Sequence, residues 1–183
     1  MTDPKRITPS KIVWLDLEMT GLNPQKHRIT EVAAIVTDWD FAELASFEAV
    51  VHQPPHVLAE MDDWPRRQHG ISGLLEKIPS GMPEKDAEAE VLRLVKAYFK
   101  PDEPVLLAGN SIHTDRQFIR HWWPQLEARL HYRMLDVSSW KVVMIGKYGI
   151  EFSKAESHRA LDDIRESIAE LQYYLAELPK HTI

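Results

Sequence analysis

Apolar residues recur along this chain in two rhythms. From Lys11 to Glu18 (Lys-Ile-Val-Trp-Leu-Asp-Leu-Glu) the chain is nearly all apolar, β-branched at its start, and stops before the turn-forming Thr20-Gly21, which predicts a strand. Ile29 to Thr37 and Glu43 to Val51 read the same way, and their short connections predict an antiparallel meander. The period then lengthens. Val91, Leu94, Val95 and Tyr98 share one face of a helix predicted over Asp86 to Phe99, which Pro101 and Pro104 end. Pro104 to Gly109 predicts a fourth strand, Thr114 to Trp122 a helix stopped near Pro124, and Tyr132 to Asp136 a short fifth strand. From His158 to Leu178, residues Leu161, Ile164, Ile168, Leu171 and Leu175 form the stripe of an amphipathic helix. A meander followed by alternating helices and strands implies an α/β fold with a mixed five-stranded sheet, antiparallel then parallel, flanked by helices.

Composition narrows this picture. A chain of 183 residues without internal repeats or low-complexity tracts is expected to be a single domain over 1–183, with 1–10 a polar lead. It contains no Cys, which excludes disulfide frameworks, thiol catalysis and Cys-ligated zinc. No apolar run reaches the length of a membrane span and the start does not resemble a signal peptide, so the expectation is a cytoplasmic protein without a membrane partner. The 22 Lys and Arg against 28 Asp and Glu give a net charge of −6. Proteins that hold long nucleic acids present an extended basic surface, and this charge argues against such a partner.

Three places carry acids where the pattern does not ask for them. Asp16 and Glu18 interrupt the first apolar strand, and its two-residue period turns both to the face that also carries Ile12 and Trp14. In a central strand their desolvation calls for a positive group between them, and a divalent metal supplies one; at an edge, they simply face water. Asp115 stands at the start of a helix, where capping alone accounts for many acids. In the last helix the apolar stripe puts Asp163 on its flank and Asp162 farther toward solvent. Five residues rotate a helix by about 140°, so His158 and Asp163 share a site only if His158 precedes the helix or sits in its first turn. Together, carboxylates from two strand ends and two helix starts suit two oxygen-ligated cations, magnesium or manganese, in the arrangement that serves phosphoryl transfer. A histidine titrating near neutrality suits the task of general base.

In this order the motifs Asp16-x-Glu18, Asp115 and His158-x-x-x-x-Asp163 resemble those of the DEDD 3′-to-5′ exonucleases, in their histidine-bearing subgroup, which have a ribonuclease-H-like fold. Trp14 to Leu22 (Trp-Leu-Asp-Leu-Glu-Met-Thr-Gly-Leu), Met61-Asp-Asp-Trp64, Gly109-Asn-Ser-Ile112, His131-Tyr-Arg133, Leu135-Asp-Val137 and Asp162 to Ser167 are similar to the oligoribonuclease family in particular. The resemblance runs from about Lys11 to Leu178. It implies a homodimeric hydrolase, dependent on two divalent cations (Mg2+ or Mn2+), that releases nucleoside 5′-monophosphates from very short RNA, dinucleotides above all. It further implies that Asp16, Glu18, Asp115 and Asp163 bind metal and that His158 is the base. Leu22 would wedge between two bases, with Trp64 stacking on a base and His69 beside it. Ser111, Arg133 and Ser138 would cap the terminal phosphate, and Tyr132 would reach the partner protomer's site.

Each side chain also has a plainer reading. Trp64, in a loop-like context before Pro65, serves equally to cap the core under that loop; Leu22 serves as a packed turn residue, Arg133 as a surface ion pair, and Ser111 and Ser138 as helix caps. Asp136 is read as structural. The stretch from Val142 to Glu156 is less basic and shorter than the family pattern, which leaves open how it positions His158. Two other functions share the fold: an exonuclease trimming longer DNA or RNA ends, and an inactive dimeric binding module.

Overall fold

The computed structural model describes residues 9–153 and 159–178. Five strands form one sheet: β1 (Ile12–Met19), β2 (Ile29–Thr37), β3 (Glu43–Val50), β4 (Val105–Gly109) and β5 (Leu130–Asp136), in spatial order β3-β2-β1-β4-β5. β1–β2 and β2–β3 pair antiparallel, whereas β1–β4 and β4–β5 pair parallel. This is the expected ribonuclease-H-like sheet, and it makes the acid-bearing β1 its central strand. The helices are α1 (Pro55–Ala59), α2 (Asp63–Ile71), α3 (Leu74–Lys77), α4 (Glu84–Tyr98), α5 (His113–Trp122), α6 (Pro124–Glu127), α7 (Val137–Val143) and α8 (Ala160–Glu177). A 3-10 turn (Ile78–Ser80) and a π-helical turn (Met144–Tyr148) complete the described residues. No described helix is long and apolar enough to cross a membrane.

The two faces of β1 sort its side chains as a two-residue period requires. Val13, Leu15 and Leu17 pack under α4, α5 and α6 with Val91, Val95, Phe118, Ile119 and Leu126. Ile12 and Trp14 pack on the opposite face with Val137 of α7 and Ala160, Ile164, Ile168 and Leu171 of α8. The buried Trp14 indole donates to Thr37 Oγ1 at 3.0 Å, so its polar edge is satisfied. Asp16 and Glu18 continue the Ile12–Trp14 row and come out on the α8 side.

The sequence reading places the five strands, α4, α5 and α8 within a residue or two, has no counterpart for the short α6, and takes three further corrections. Residues 55–77, including the segment around Trp64, form short helices instead of a loop. Pro65 falls in the first turn of α2, where a missing N–H leaves no bond unmade. At the end of α8 the stripe drifts off the sheet: Tyr174 is fully buried, while Leu175 is 39% exposed. The last helix begins at Ala160 among the described residues, and His158 lies outside them.

Candidate active site

The C-terminal ends of β1 and β4 meet the N-terminal ends of α5 and α8 around a cavity of about 550 Å3. Residues of β1, α5 and α8 line it, together with Asn110 and Ser111 just after β4 and with Leu22, Asp62 and Trp64. Oxygens of Asp16, Glu18 and Asp163 lie within 4.8 Å of one another. Asp163 projects from the first turn of α8, while neighbouring Asp162 has a side chain 58% exposed. The backbone geometry forces this convergence, because the Ile164–Ile168–Leu171 stripe must face the sheet.

Asp115 reaches the same cavity from the opposite layer. The last β1–β4 pair is Trp14 with Ala108, which leaves the Leu17 amide free, and the Asp115 Oδ1 accepts from it at 2.9 Å. So Asp115 is anchored to β1 and lines the cavity wall, but it stands outside the three-acid group. The chain turns sharply between β4 and α5. A Cβ on Gly109 would lie 2.8 Å from the Leu15 carbonyl oxygen, so only glycine passes there. Ser111 follows with a φ of 50°, a left-handed conformation that costs a non-glycine residue about 1 to 2 kcal/mol. Its N–H is held by Asp136 Oδ1 at 3.0 Å and Ser138 Oγ at 2.9 Å.

Electrostatically the site is overloaded with like charge. Burial first, and then Asp115, Glu18, Asp163 and Glu31, push the Asp16 carboxyl well above its ordinary range. Burial, followed by Glu31, Asp163 and Asp115, raises Glu18 to about 8, with Arg159 acting in the opposite direction. Asp115 is raised to about 7, mainly by burial, although the Leu17 amide opposes this. Among the described residues the cavity lining contains no Lys or Arg. Crowded carboxylates with raised affinity for protons also have raised affinity for a hard cation, and an all-oxygen donor set fits one.

Other expected side chains divide into groups. Leu22 is 73% exposed and Trp64 is 59% exposed, and both line the cavity, so neither is spent on the core. Ser111 lines the cavity, and its hydroxyl lies 3.0 Å from that of Ser138, whose Oγ also donates to Asn110 Oδ1. His69 is buried behind the wall: its Nε2 lies 3.0 Å from the Met19 carbonyl oxygen and its Nδ1 3.7 Å from Glu18 Oε2. Donation to that carbonyl places the proton on Nε2, and burial lowers the ring's pKa. Tyr132 and Arg133 lie exposed on β5, the edge strand, away from the cavity lining, with the Arg133 guanidinium 5.0 Å from the Tyr132 ring centroid. Asp136 caps α7 through the Ser138 N–H, a structural role as expected.

Sequence reasoning missed Glu31 and Arg159. Glu31 stands directly opposite Glu18 in the β1–β2 pairing, a repulsive placement. Arg159 offsets it by binding Glu31 Oε1 through Nε at 3.1 Å and Nη2 at 2.7 Å, which ties the start of α8 to β2. An acid inside the apolar run Ile29 to Thr37 was the available signal.

A two-sided α/β/α sandwich with acids converging at the end of its central strand defines a nuclease-like site, and comparisons agree. The RNase_T family, described as Exonuclease, matches residues 13–171. An oligoribonuclease of Corynebacterium diphtheriae is 48% identical over 90% of this chain and 81% of its own length. Those of Thiobacillus denitrificans and Pseudomonas aeruginosa are 45% and 44% identical over 92% and 91% of this chain, and 94% of their own lengths. Among solved structures, exonuclease I from Methylocaldum szegediense superposes with a TM-score of 0.70 at 20% identity, over 93% of this chain and 41% of that one. The zinc-bound E. coli exonuclease I–ssDNA complex gives 0.71 at 17%, over 94% of this chain and 42% of that one. The chain thus spans about two fifths of those exonuclease I chains, and the likeness shows a shared fold. The chain belongs to the oligoribonuclease family.

Proposed function

We propose that this protein is a 3′-to-5′ exoribonuclease that hydrolyses very short RNA, dinucleotides above all, to nucleoside 5′-monophosphates, using two divalent cations, Mg2+ or Mn2+. One observation carries the reading: a cavity rich in carboxylates and without Lys or Arg among the described residues, with two exposed apolar side chains in its lining. A phosphodiester entering such a cavity meets only negative side-chain charge, so it enters with cations or not at all. Asp16, Glu18 and Asp163 would hold them, with Asp115 beside. Divalent ions held by these residues would supply charge stabilisation for the attacking and leaving oxygens of a phosphoryl transfer.

The chain's own residues would do the remaining work. Leu22 and Trp64 offer the two bases apolar surfaces, and stacking contributes about 1 to 3 kcal/mol per base without sequence preference. The hydroxyls of Ser111 and Ser138 would bind the terminal phosphate and so measure substrate length, and Arg133, which stands on β5 outside the cavity lining, would join them by turning from Tyr132 toward the cavity. His158 would take the proton of the attacking water. A homodimer fits the same reading. Tyr132 is 69% exposed, and the neighbouring α7 and π turn expose Val142, Val143, Ile145 and Tyr148, an apolar surface suited to a second copy that would accept Tyr132.

The test is a time course on 5′-labelled RNAs of two to ten nucleotides, with and without Mg2+. Dinucleotides should be cleaved much faster than ten-nucleotide RNAs, and only with metal. Equal rates on both would replace this reading by an exonuclease trimming long ends.

A further inference from the structure

The loop between β1 and β2 is closed by its own hydrogen bonds. The Thr20 N–H donates to the Arg28 carbonyl at 2.9 Å, the Arg28 N–H to the Thr20 hydroxyl at 3.0 Å, and the His27 N–H to the Asn23 carbonyl at 2.7 Å. The His27 side chain turns inward and is only 4% exposed. Its Nδ1 accepts the Asn23 N–H at 3.1 Å, so in the neutral ring the proton sits on Nε2. That Nε2 makes no hydrogen bond among the described residues and faces Asp62 Oδ1 at 3.4 Å.

Asp62 precedes α2, where an aspartate ordinarily accepts an N–H of the first helical turn. Here its side chain makes no capping bond and stands toward His27 instead. The Asp62 N–H meanwhile donates to the Thr20 carbonyl at 2.9 Å. Gly21 threads between the two side chains: a Cβ there would overlap both the His27 ring and the Asp62 carboxylate. On the far side the Trp122 Nε1–H donates to the His27 carbonyl at 3.0 Å, and the Arg28 guanidinium lies 3.8 Å over the Trp122 ring.

Leu22 follows Gly21 directly, and Trp64 stands two residues beyond Asp62. The contact therefore joins the roots of the two exposed apolar side chains that line the cavity. We propose that His27 and Asp62 form a positioning pair that fixes the separation of Leu22 from Trp64, and thereby the fit of the cavity to two adjacent bases. This rests on the reading of Leu22 and Trp64 as base-holding residues. Among the described residues the ring's polar contacts are with Asn23 and Asp62, so its loss acts on substrate fit and leaves the chemical step intact.

Steady-state kinetics of the full chain on an RNA dinucleotide with Mg2+ separates these effects. His27→Ala and Asp62→Ala should each raise KM by about three- to tenfold, with kcat within about twofold, because misplacement of binding groups weakens fit before chemistry. Asp62→Asn keeps the side chain's shape and an oxygen to face Nε2 and should stay near the parent KM, and the double alanine variant should be no worse than either single one. Leu22→Ala and Trp64→Ala are the controls, and both should raise KM. Unchanged KM in these two would remove the base-holding reading and this proposal with it. Raised KM in the controls with unchanged KM in His27→Ala and Asp62→Ala, or strict additivity in the double variant, would overturn the pair alone. A fall in kcat at constant KM would overturn it as well. Should His27→Ala melt below the assay temperature, the comparison of Asp62→Ala with Asp62→Asn decides, since the Asp62 side chain is half exposed.

Discussion

Replacing Glu18 by Gln should make the metal-free protein more stable while destroying its activity. Burial, with Glu31, Asp163 and Asp115 around it, holds the Glu18 carboxyl at about 8 instead of its ordinary 4.5. At about 1.4 kcal/mol per pH unit, ionising it in the folded, metal-free chain costs on the order of 5 kcal/mol. Rearrangement of the neighbouring acids and entry of water reduce this to about 2 to 4 kcal/mol. A carboxyl whose folded-state pKa is raised contributes its stabilisation fully below the unfolded value, near 4.5, and loses it as pH climbs through about 8. Glutamine has the same shape and does not ionise. The parent and Glu18→Gln should therefore melt together near pH 4.5 and diverge above it, the variant melting about 6 to 12 °C higher at pH 9, at roughly 3 °C per kcal/mol for this size. The assay is calorimetric or fluorescence melting of chelator-treated protein from pH 4.5 to 9. Mg2+ should raise the parent's melting temperature at pH 9 more than the variant's, by mass action on the folded state. A difference that does not change with pH, or a variant less stable than the parent at pH 9, would refute the reasoning.

His158→Ala should lower turnover by about two to four orders of magnitude with little loss of dinucleotide affinity, measured by single-turnover kinetics beside equilibrium binding; lost affinity instead would make the residue structural. Tyr132→Ala should impair hydrolysis without lowering the melting temperature, since the side chain is 69% exposed; a fully active monomer in sedimentation would contradict the shared site. Titration calorimetry should show dinucleotide binding at least about tenfold weaker in chelator than with a divalent ion, because unneutralised carboxylates repel the phosphate; equal affinities would disprove the electrostatic reading of the cavity.

The fold was legible wherever one period ran long enough to be counted. The strand over Ile29 to Thr37 has the bounds that the sequence predicts, and the two faces of β1 receive the residues assigned to them. α1, α2, α3 and α6 escaped because elements of 4 to 9 residues complete too few turns to display a stripe. β5 was underestimated by two residues at its start for a related reason: as an edge strand it is half exposed along its length and shows no clean alternation.

Legibility of the site followed a different rule, set by distance along the chain. Asp16 and Glu18 stood out because an apolar central strand makes any acid conspicuous, and the same signal was present at Glu31. What hid Glu31 was its partner: Arg159 lies 128 residues away, and no local pattern links a strand acid to the residue before a distant helix. Likewise nothing marks Ser111 for a left-handed backbone, or pairs His27 with Asp62, until the fold brings β4, α7 and the α2 start together. The net charge illustrates the point from the other side. Read as a sum, −6 describes a protein that repels nucleic acid. The structure gathers Asp16, Glu18, Asp62, Asp115 and Asp163 around one cavity with no Lys or Arg in its described lining, so the repulsion is concentrated where cations can reverse it. A site built this way rejects phosphates until cations load it, and the very short substrate proposed for it brings few phosphates to neutralise.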